Sequence, residues 1–109
     1  MIYELRTYTI VPGRMVDIER RFSQVTLRLF TKHGMKVIGF WRTAENGKPI
    51  DELVYVLAHQ DMTARDASFA EFRDDPEWIS AKAASEVNGA IVAHVESKFL
   101  SPTEYSPLQ

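Results

Sequence analysis

The side chains that could do chemistry are few and widely spaced in this sequence of 109 residues. It has no cysteine and no Gly-x-Ser-x-Gly segment, so neither a thiol nor a serine nucleophile is indicated. The five glycines are too scattered to form a phosphate-binding loop. What remains is acid–base chemistry or ligand binding by histidines, carboxylates and aromatic side chains.

The three histidines do not form a recognisable metal-binding motif. His33, His59 and His94 are far apart, and in the pair His59-x-Asp61 both side chains would point the same way on an extended strand. An Asp61 that caps a helix beside a hydrogen-bonded His59 explains this pair better than a metal ion does. We therefore predict no metal site and no cofactor.

We predict a small-molecule pocket beside the first predicted helix. Glu19, Ser23 and Thr26 line the edge of its apolar stripe, and His33 returns to the angle of Met15. His33 could be a general base because its ordinary pKa is near neutrality, or a helix-terminal histidine bonded to main-chain carbonyls. The candidate pocket residues are Glu19, Thr26, His33, Trp41, Tyr55 and His59.

Several polar and aromatic side chains on predicted strands could line either that pocket or a contact between two copies of the chain. Tyrosine and tryptophan are common in protein interfaces for packing reasons alone, and sequence parity does not say which sheet face meets the helices. These residues are Arg6, Tyr8, Trp41, Tyr55, His59 and His94.

The charge balance argues against nucleic acid and membrane partners. The chain has 13 basic and 15 acidic residues, a net charge of -2, which gives no long-range attraction to phosphate. Arg14, Arg21 and Arg28 recur every seven residues, and we interpret them as a solvated helix face. The N-terminus lacks a secretory signal pattern, and no apolar run is long enough to span a bilayer, so we expect a cytoplasmic protein.

The elements that position these residues follow the order β-α-β-β-α-β. The first helix runs from Arg14 to a Gly34 cap, a Thr63/Asp66 capping box opens the next, and Asp75 with Pro76 opens another. We predict strands over Ile2–Val11, Met35–Thr43, Glu52–His59 and Ala90–Leu100, a connection over Ala44–Asp51 and an extended tail over Ser101–Gln109.

The predicted strand Glu52–His59 organises the fold because it is apolar on both faces. Leu53, Tyr55 and Leu57 point one way, and Val54 and Val56 point the other. Each face needs a cover, and the helices supply only one. We therefore predict an α+β, ferredoxin-like fold, a four-stranded antiparallel sheet with helices on one face, and a homodimer formed through the other face.

Several segments in order resemble the NIPSNAP family. They are Tyr3-Glu4-Leu5-Arg6-Thr7-Tyr8 followed by Pro12-Gly13, His33-Gly34 with Gly39-Phe40-Trp41, Asp61 and Arg65, Asp75-Pro76-Glu77-Trp78, and Ser106-Pro107-Leu108. The resemblance covers residues 1–100 as one domain and extends into the tail. It implies a dimeric α/β barrel, in a superfamily that includes cofactor-free monooxygenases, lactone isomerases and haem-binding proteins.

The resemblance leaves the biochemical role undefined, so the functional hypotheses stay open. The first is a homodimer with a pocket for a small hydrophobic ligand between sheet and helices. The alternatives are a non-catalytic protein-interaction module, which could use the tail 101–109, and a cofactor-free monooxygenase or isomerase.

Overall fold

The computed structural model describes the whole chain, Met1–Gln109. Its sheet has the strand order β2-β3-β1-β4, in which every neighbouring pair is antiparallel. The elements in chain order are β1 (Ile2–Ile10), α1 (Met15–Arg21), a π-helical segment (Phe22–Thr26), α2 (Leu27–Lys32), β2 (Lys36–Glu45), β3 (Lys48–His59), α3 (Met62–Asp74), α4 (Pro76–Ser85) and β4 (Val92–Leu100). This is the predicted ferredoxin-like α+β fold.

Alternation along β3 divides the sheet as predicted. Leu53, Tyr55 and Leu57 are buried in the core under the helices, whereas Val54 and Val56 lie on the opposite side and stay partly exposed. We call this opposite side, which no helix covers, the open face. The helix-facing side carries the core and, as described below, the candidate site.

The predicted connection over Ala44–Asp51 is wrong, because most of it is strand. β2 continues to Glu45 and β3 begins at Lys48, so only Asn46 and Gly47 form the turn. Both have positive φ, 52° and 76°, as a two-residue hairpin turn that matches the sheet twist requires. The hairpin is therefore longer and tighter than the sequence pattern indicated.

The predicted Thr63 capping box is also wrong. The N-cap of α3 is Asp61, whose carboxylate accepts a hydrogen bond from the main-chain N–H of Ala64 at 2.8 Å. Asp75 caps α4 as predicted, accepting from the N–H of Glu77 at 2.9 Å. No helix of the fold is long and apolar enough to cross a membrane.

The π-helical segment shifts the phase of the long helix formed by α1, the segment and α2. One extra residue in its turn brings Thr26 inward, where it is buried, and leaves Val25 only partly buried. The Thr26 hydroxyl donates to the carbonyl of Arg21, five residues earlier, at 3.2 Å. The regular apolar stripe predicted for the first helix is therefore interrupted.

Candidate functional site

A cavity of about 560 Å³ lies between the helix-facing side of the sheet and the helices. Its floor comes from β1 and β4, and its walls come from the long helix, α3 and α4. Six aromatic rings line it, together with five basic side chains and one acidic one. These residues are Tyr8, Phe22, Phe30, Phe69, Phe72 and Trp78, then Arg6, Arg21, Arg65, Arg73 and Lys82, and Glu86.

Arg21 enters the cavity wall from the last turn of α1. Its guanidinium lies 5.2 Å from the ring centroid of Trp78, Nη1 donates to Ser85 Oγ at 3.1 Å, and Glu86 is 3.5 Å away. Arg21 is only 8% exposed, and its Nε has no hydrogen-bond partner. The prediction that Arg21 lies on a solvated face was wrong, because α4 packs against that side of the helix.

The whole arginine series faces α4. Arg14 donates to the carbonyl of Ser85 at 3.0 Å, and Arg28 pairs with Glu77 on the first turn of α4. Asp17, four residues before Arg21, accepts from Arg14 at 2.6 Å rather than from Arg21. These polar contacts hold α4 over the cavity, although α4 has no fully buried residue.

Glu4 is the hub of a buried hydrogen-bond network behind the cavity floor. Arg65 donates to both carboxylate oxygens, at 3.0 and 2.9 Å, and Arg6 Nη1 donates at 2.9 Å. The Ser97 hydroxyl also donates to it, and His59 Nε2 lies 3.0 Å from Oε1. An ionised carboxylate only accepts, so His59 is the donor.

The environment of Glu4 favours the charged form. Burial by itself raises the pKa of the Glu4 carboxyl, but the hydrogen bonds from His59, Arg65, Ser97 and Arg6 outweigh it and hold the pKa well below its usual range. Glu4 therefore stays ionised and fixes the positions of Arg6 and Arg65 in the cavity wall.

Arg6 also begins a short chain of hydrogen bonds to two tyrosines. Its Nε donates to the Tyr55 hydroxyl at 2.7 Å, and the Tyr55 hydroxyl donates to that of Tyr8 at 2.9 Å. Tyr8 lines the cavity, whereas Tyr55 is completely buried behind it. We call these three residues the Arg6–Tyr55–Tyr8 chain.

The structure places the predicted pocket residues in different parts of the fold. Thr26 lines the cavity. Tyr55 and His59 lie behind its wall, bonded to Arg6 and to Glu4 respectively.

Glu19 and Trp41 instead flank a separate groove of about 310 Å³ between the helix and the edge of β2. His33 is outside both spaces. Its Nε2 is 2.8 Å from Asp75 and its Nδ1 is 3.5 Å from Glu71, so it joins the helix end to the α3–α4 corner rather than to main-chain carbonyls.

Lys32 and His33 together set the charge state of that corner. The hydrogen bonds from Lys32 and His33, with the N–H of Glu77, hold the pKa of the Asp75 carboxyl well below its usual range. Trp78 packs on Phe72 beside this corner, with ring centroids 4.6 Å apart, so it is part of the packing there. It also lines the cavity.

Sequence reasoning did not single out Glu4, Arg21 or Arg73 as site residues. One feature of the sequence could have indicated Glu4. It is a carboxylate within the strand Ile2–Ile10, and because it lies two residues before Arg6, both side chains are on the same face. No such feature indicated Arg73, since a charged residue near the end of a helix is ordinarily solvated. No group of three or more histidine, aspartate or glutamate side chains is arranged to hold a metal ion.

The fold is that of NIPSNAP crystal structures over nearly their full length. A NIPSNAP family protein of unknown function from Agrobacterium tumefaciens is 24% identical, with a TM-score of 0.85 and coverage of 100% of this chain and 94% of that chain. An uncharacterized NIPSNAP domain protein from Burkholderia xenovorans is 25% identical, with a TM-score of 0.82 and coverage of 98% and 99%.

A more distant likeness extends to SnoaB, a cofactor-independent oxygenase from Streptomyces nogalater. It is 15% identical, with a TM-score of 0.61 and coverage of 97% of this chain and 96% of that chain, and this likeness concerns the fold alone. The sequence matches none of the curated proteins. The model of the family described as NIPSNAP matches residues 3–107. The chain therefore belongs to the NIPSNAP family.

Proposed function

We propose that the protein binds a small organic anion with a flat apolar body in the cavity between its sheet and its helices. The observation that carries this proposal is the wall itself, where five basic side chains and one acidic one stand among six aromatic rings. The chain as a whole has a net charge of -2, so the positive charge is local. The cavity volume falls within the range of roughly 300–1,000 Å³ that is usual for small-molecule sites.

Arg21 and Arg73 are the guanidinium groups with donors to spare, because Glu4 already engages Arg6 and Arg65. Arg73 forms no ion pair or hydrogen bond with the protein, and its guanidinium lies 5.6 Å from the ring centroid of Phe69. The Nε of Arg21 is buried without an acceptor. An unpaired buried donor costs free energy, and the nearby anion of a ligand would offset part of that cost.

A charge-matched pair of ligands tests this proposal. We expect 2-naphthoate to bind more tightly than neutral 2-naphthamide in isothermal titration calorimetry, and Arg73→Gln to weaken naphthoate binding roughly 10-fold or more. Arg21→Gln should act in the same direction. Arg20→Gln is the matched control, because Arg20 is exposed on the same helix. Equal binding of acid and amide, or binding of neither, would contradict the proposal.

The partner that we propose for the open face is a second copy of this chain. Leu5, Val54 and Val56 lie side by side on neighbouring strands of that face, and Trp41 beside them is 54% exposed. Burying four such side chains is worth about 6–12 kcal/mol at roughly 1.5–3 kcal/mol each. The proposed assembly is a homodimer in which the two open faces pack together.

Sedimentation equilibrium at micromolar concentration tests the assembly. We expect a dimer for the wild type and a monomer for Val56→Asp, while Val87→Asp remains dimeric, because Val87 is exposed beyond the end of α4. Circular dichroism would show that both variants are folded. A wild-type monomer, or a Val56→Asp dimer of wild-type affinity, would refute the proposed interface.

A further inference from the structure

The hydroxyl proton of Tyr8 has no acceptor within the protein. Tyr55 is completely buried, and its oxygen is bonded only to Arg6 and Tyr8. A guanidinium donates and never accepts, so the Tyr55 oxygen accepts from Arg6, and the Tyr55 proton must go to Tyr8. The Tyr8 oxygen is thereby an acceptor, and its own proton is directed away from Tyr55.

The polarity of the Arg6–Tyr55–Tyr8 chain is therefore fixed. Burial and the neighbouring Tyr8 raise the pKa of Tyr55, so Tyr55 keeps its proton at neutral pH and remains a donor. Arg6 Nη2, another donor, lies 3.5 Å from the Tyr8 oxygen, too far for a strong bond. The free direction for the Tyr8 proton is the cavity that Tyr8 lines.

A donor of this kind is matched to one negatively charged oxygen. Each hydrogen bond in such a chain polarises the next, and the charged head of the chain is Arg6. The two remaining guanidinium groups, of Arg21 and Arg73, stand in the same wall and add positive potential. A phenolate or enolate carries its negative charge on one oxygen, which a single donor can reach. A preorganised donor stabilises that charged oxygen without any rearrangement of the protein.

We propose that the ligands of this cavity are weak oxygen acids, namely phenols or enols, and that the hydroxyl of Tyr8 holds them as their oxyanions. This inference rests on the function proposed above. On binding, the O–H bond of the ligand breaks, its proton passes to bulk water, and the ligand oxygen accepts the Tyr8 proton as a hydrogen bond. No oxidant or further reactant is needed.

A phenol with a pKa near neutrality makes this proposal measurable. The absorption of 4-nitrophenol distinguishes phenol from phenolate, so titrating it with and without saturating protein gives its pKa when free and when bound. We expect the wild type to lower the bound pKa, with about a 10-fold preference for phenolate. Tyr8→Phe should abolish most of that preference, while the ring remains packed on Phe22 and Tyr55.

Two variants serve as controls. Tyr3→Phe makes the same change on the same strand, but Tyr3 points to the other side of the sheet and its hydroxyl donates to the main chain at Gln109. The preference of this variant for phenolate should therefore equal that of the wild type. His94→Gln removes the imidazole of a residue that borders the cavity, leaving Glu86 paired with Arg21. The phenolate preference should persist in it.

The outcomes separate this inference from the function on which it rests. Nitrophenol that binds with an unchanged pKa, or a Tyr8→Phe variant with the full wild-type preference, overturns the role of Tyr8 while naphthoate binding still stands. Failure of both naphthoate and nitrophenol to bind overturns the proposed function and this inference together.

Discussion

Replacing Glu4 by glutamine tests whether one buried carboxylate holds the cavity wall together. Glu4 is 0% exposed and accepts hydrogen bonds from four side chains, three of them on other elements. The amide of glutamine has one acceptor oxygen, and its NH₂ group would face the guanidinium groups of Arg6 and Arg65. The variant therefore leaves two cations without their anion while changing the side-chain volume very little.

The expected loss is large for a domain of this size. Removing one partner of a buried ion pair costs about 3–5 kcal/mol, against a total stability of about 5–15 kcal/mol for a typical domain. At about 4 °C for each kcal/mol, the melting temperature should fall by roughly 12–20 °C. Arg65 is partly exposed, which favours the lower end of that range.

Urea unfolding followed by circular dichroism, at one fixed protein concentration, measures this loss. Glu45→Gln at the exposed end of β2 is the matched control and should stay within about 0.5 kcal/mol of the wild type. A loss of less than about 1 kcal/mol in Glu4→Gln would refute the reasoning, because it would mean that the network is not worth more than an ordinary surface contact.

The stability loss in Glu4→Gln should also depend on pH. The folded-state pKa of Glu4 lies below its ordinary value of 4.5, so its contribution is complete above about pH 4.5 and is lost as the pH falls further. The difference in unfolding free energy between wild type and Glu4→Gln should therefore narrow below that pH. A constant difference across the titration would contradict an ionised Glu4.

Three smaller predictions concern local structure. Asp61→Ala should destabilise the protein by about 0.5–2 kcal/mol in urea unfolding through loss of the cap, whereas Thr63→Ala should cause no comparable loss. Gly47→Ala should cost about 1–2 kcal/mol, because its φ is 76°, and an unchanged midpoint would contradict that turn. Gly39→Ala would place a Cβ 2.7 Å from the Trp41 ring, so the indole must move, and its fluorescence should change with little loss of stability.

The fold was predictable because its signals are local and repeated. Alternation along β3 assigned Leu53, Tyr55 and Leu57 to one face, and the chain carries the dipeptide Asn46-Gly47, which is typical of a hairpin turn. The predicted strands of this hairpin are too short, because Pro49 and the charged residues around the turn are poor strand formers. Cross-strand pairing nevertheless extends to Glu45 and Lys48.

The candidate site was much less predictable, because it depends on contacts between distant parts of the chain. The partners of Glu4 are 55, 61 and 93 residues away at His59, Arg65 and Ser97. Arg21 followed a seven-residue repeat that is typical of a solvated face, and only the packing of α4 against that face buries it. A sheet that is apolar on both sides also gives no sequence signal for the side that carries the helices.

The way in which α4 is attached has a consequence for how a molecule would enter and leave. This helix has no fully buried residue and is tied to its neighbour by arginine contacts at Ser85 and Glu77. Water and dissolved ions can replace such contacts, whereas they cannot replace the aromatic packing beneath. Displacing α4 breaks these contacts and separates Trp78 from Phe72, so only the ion-pair part of its attachment responds to salt. The exchange rate of a bound ligand should therefore rise with ionic strength, while the global unfolding free energy changes little.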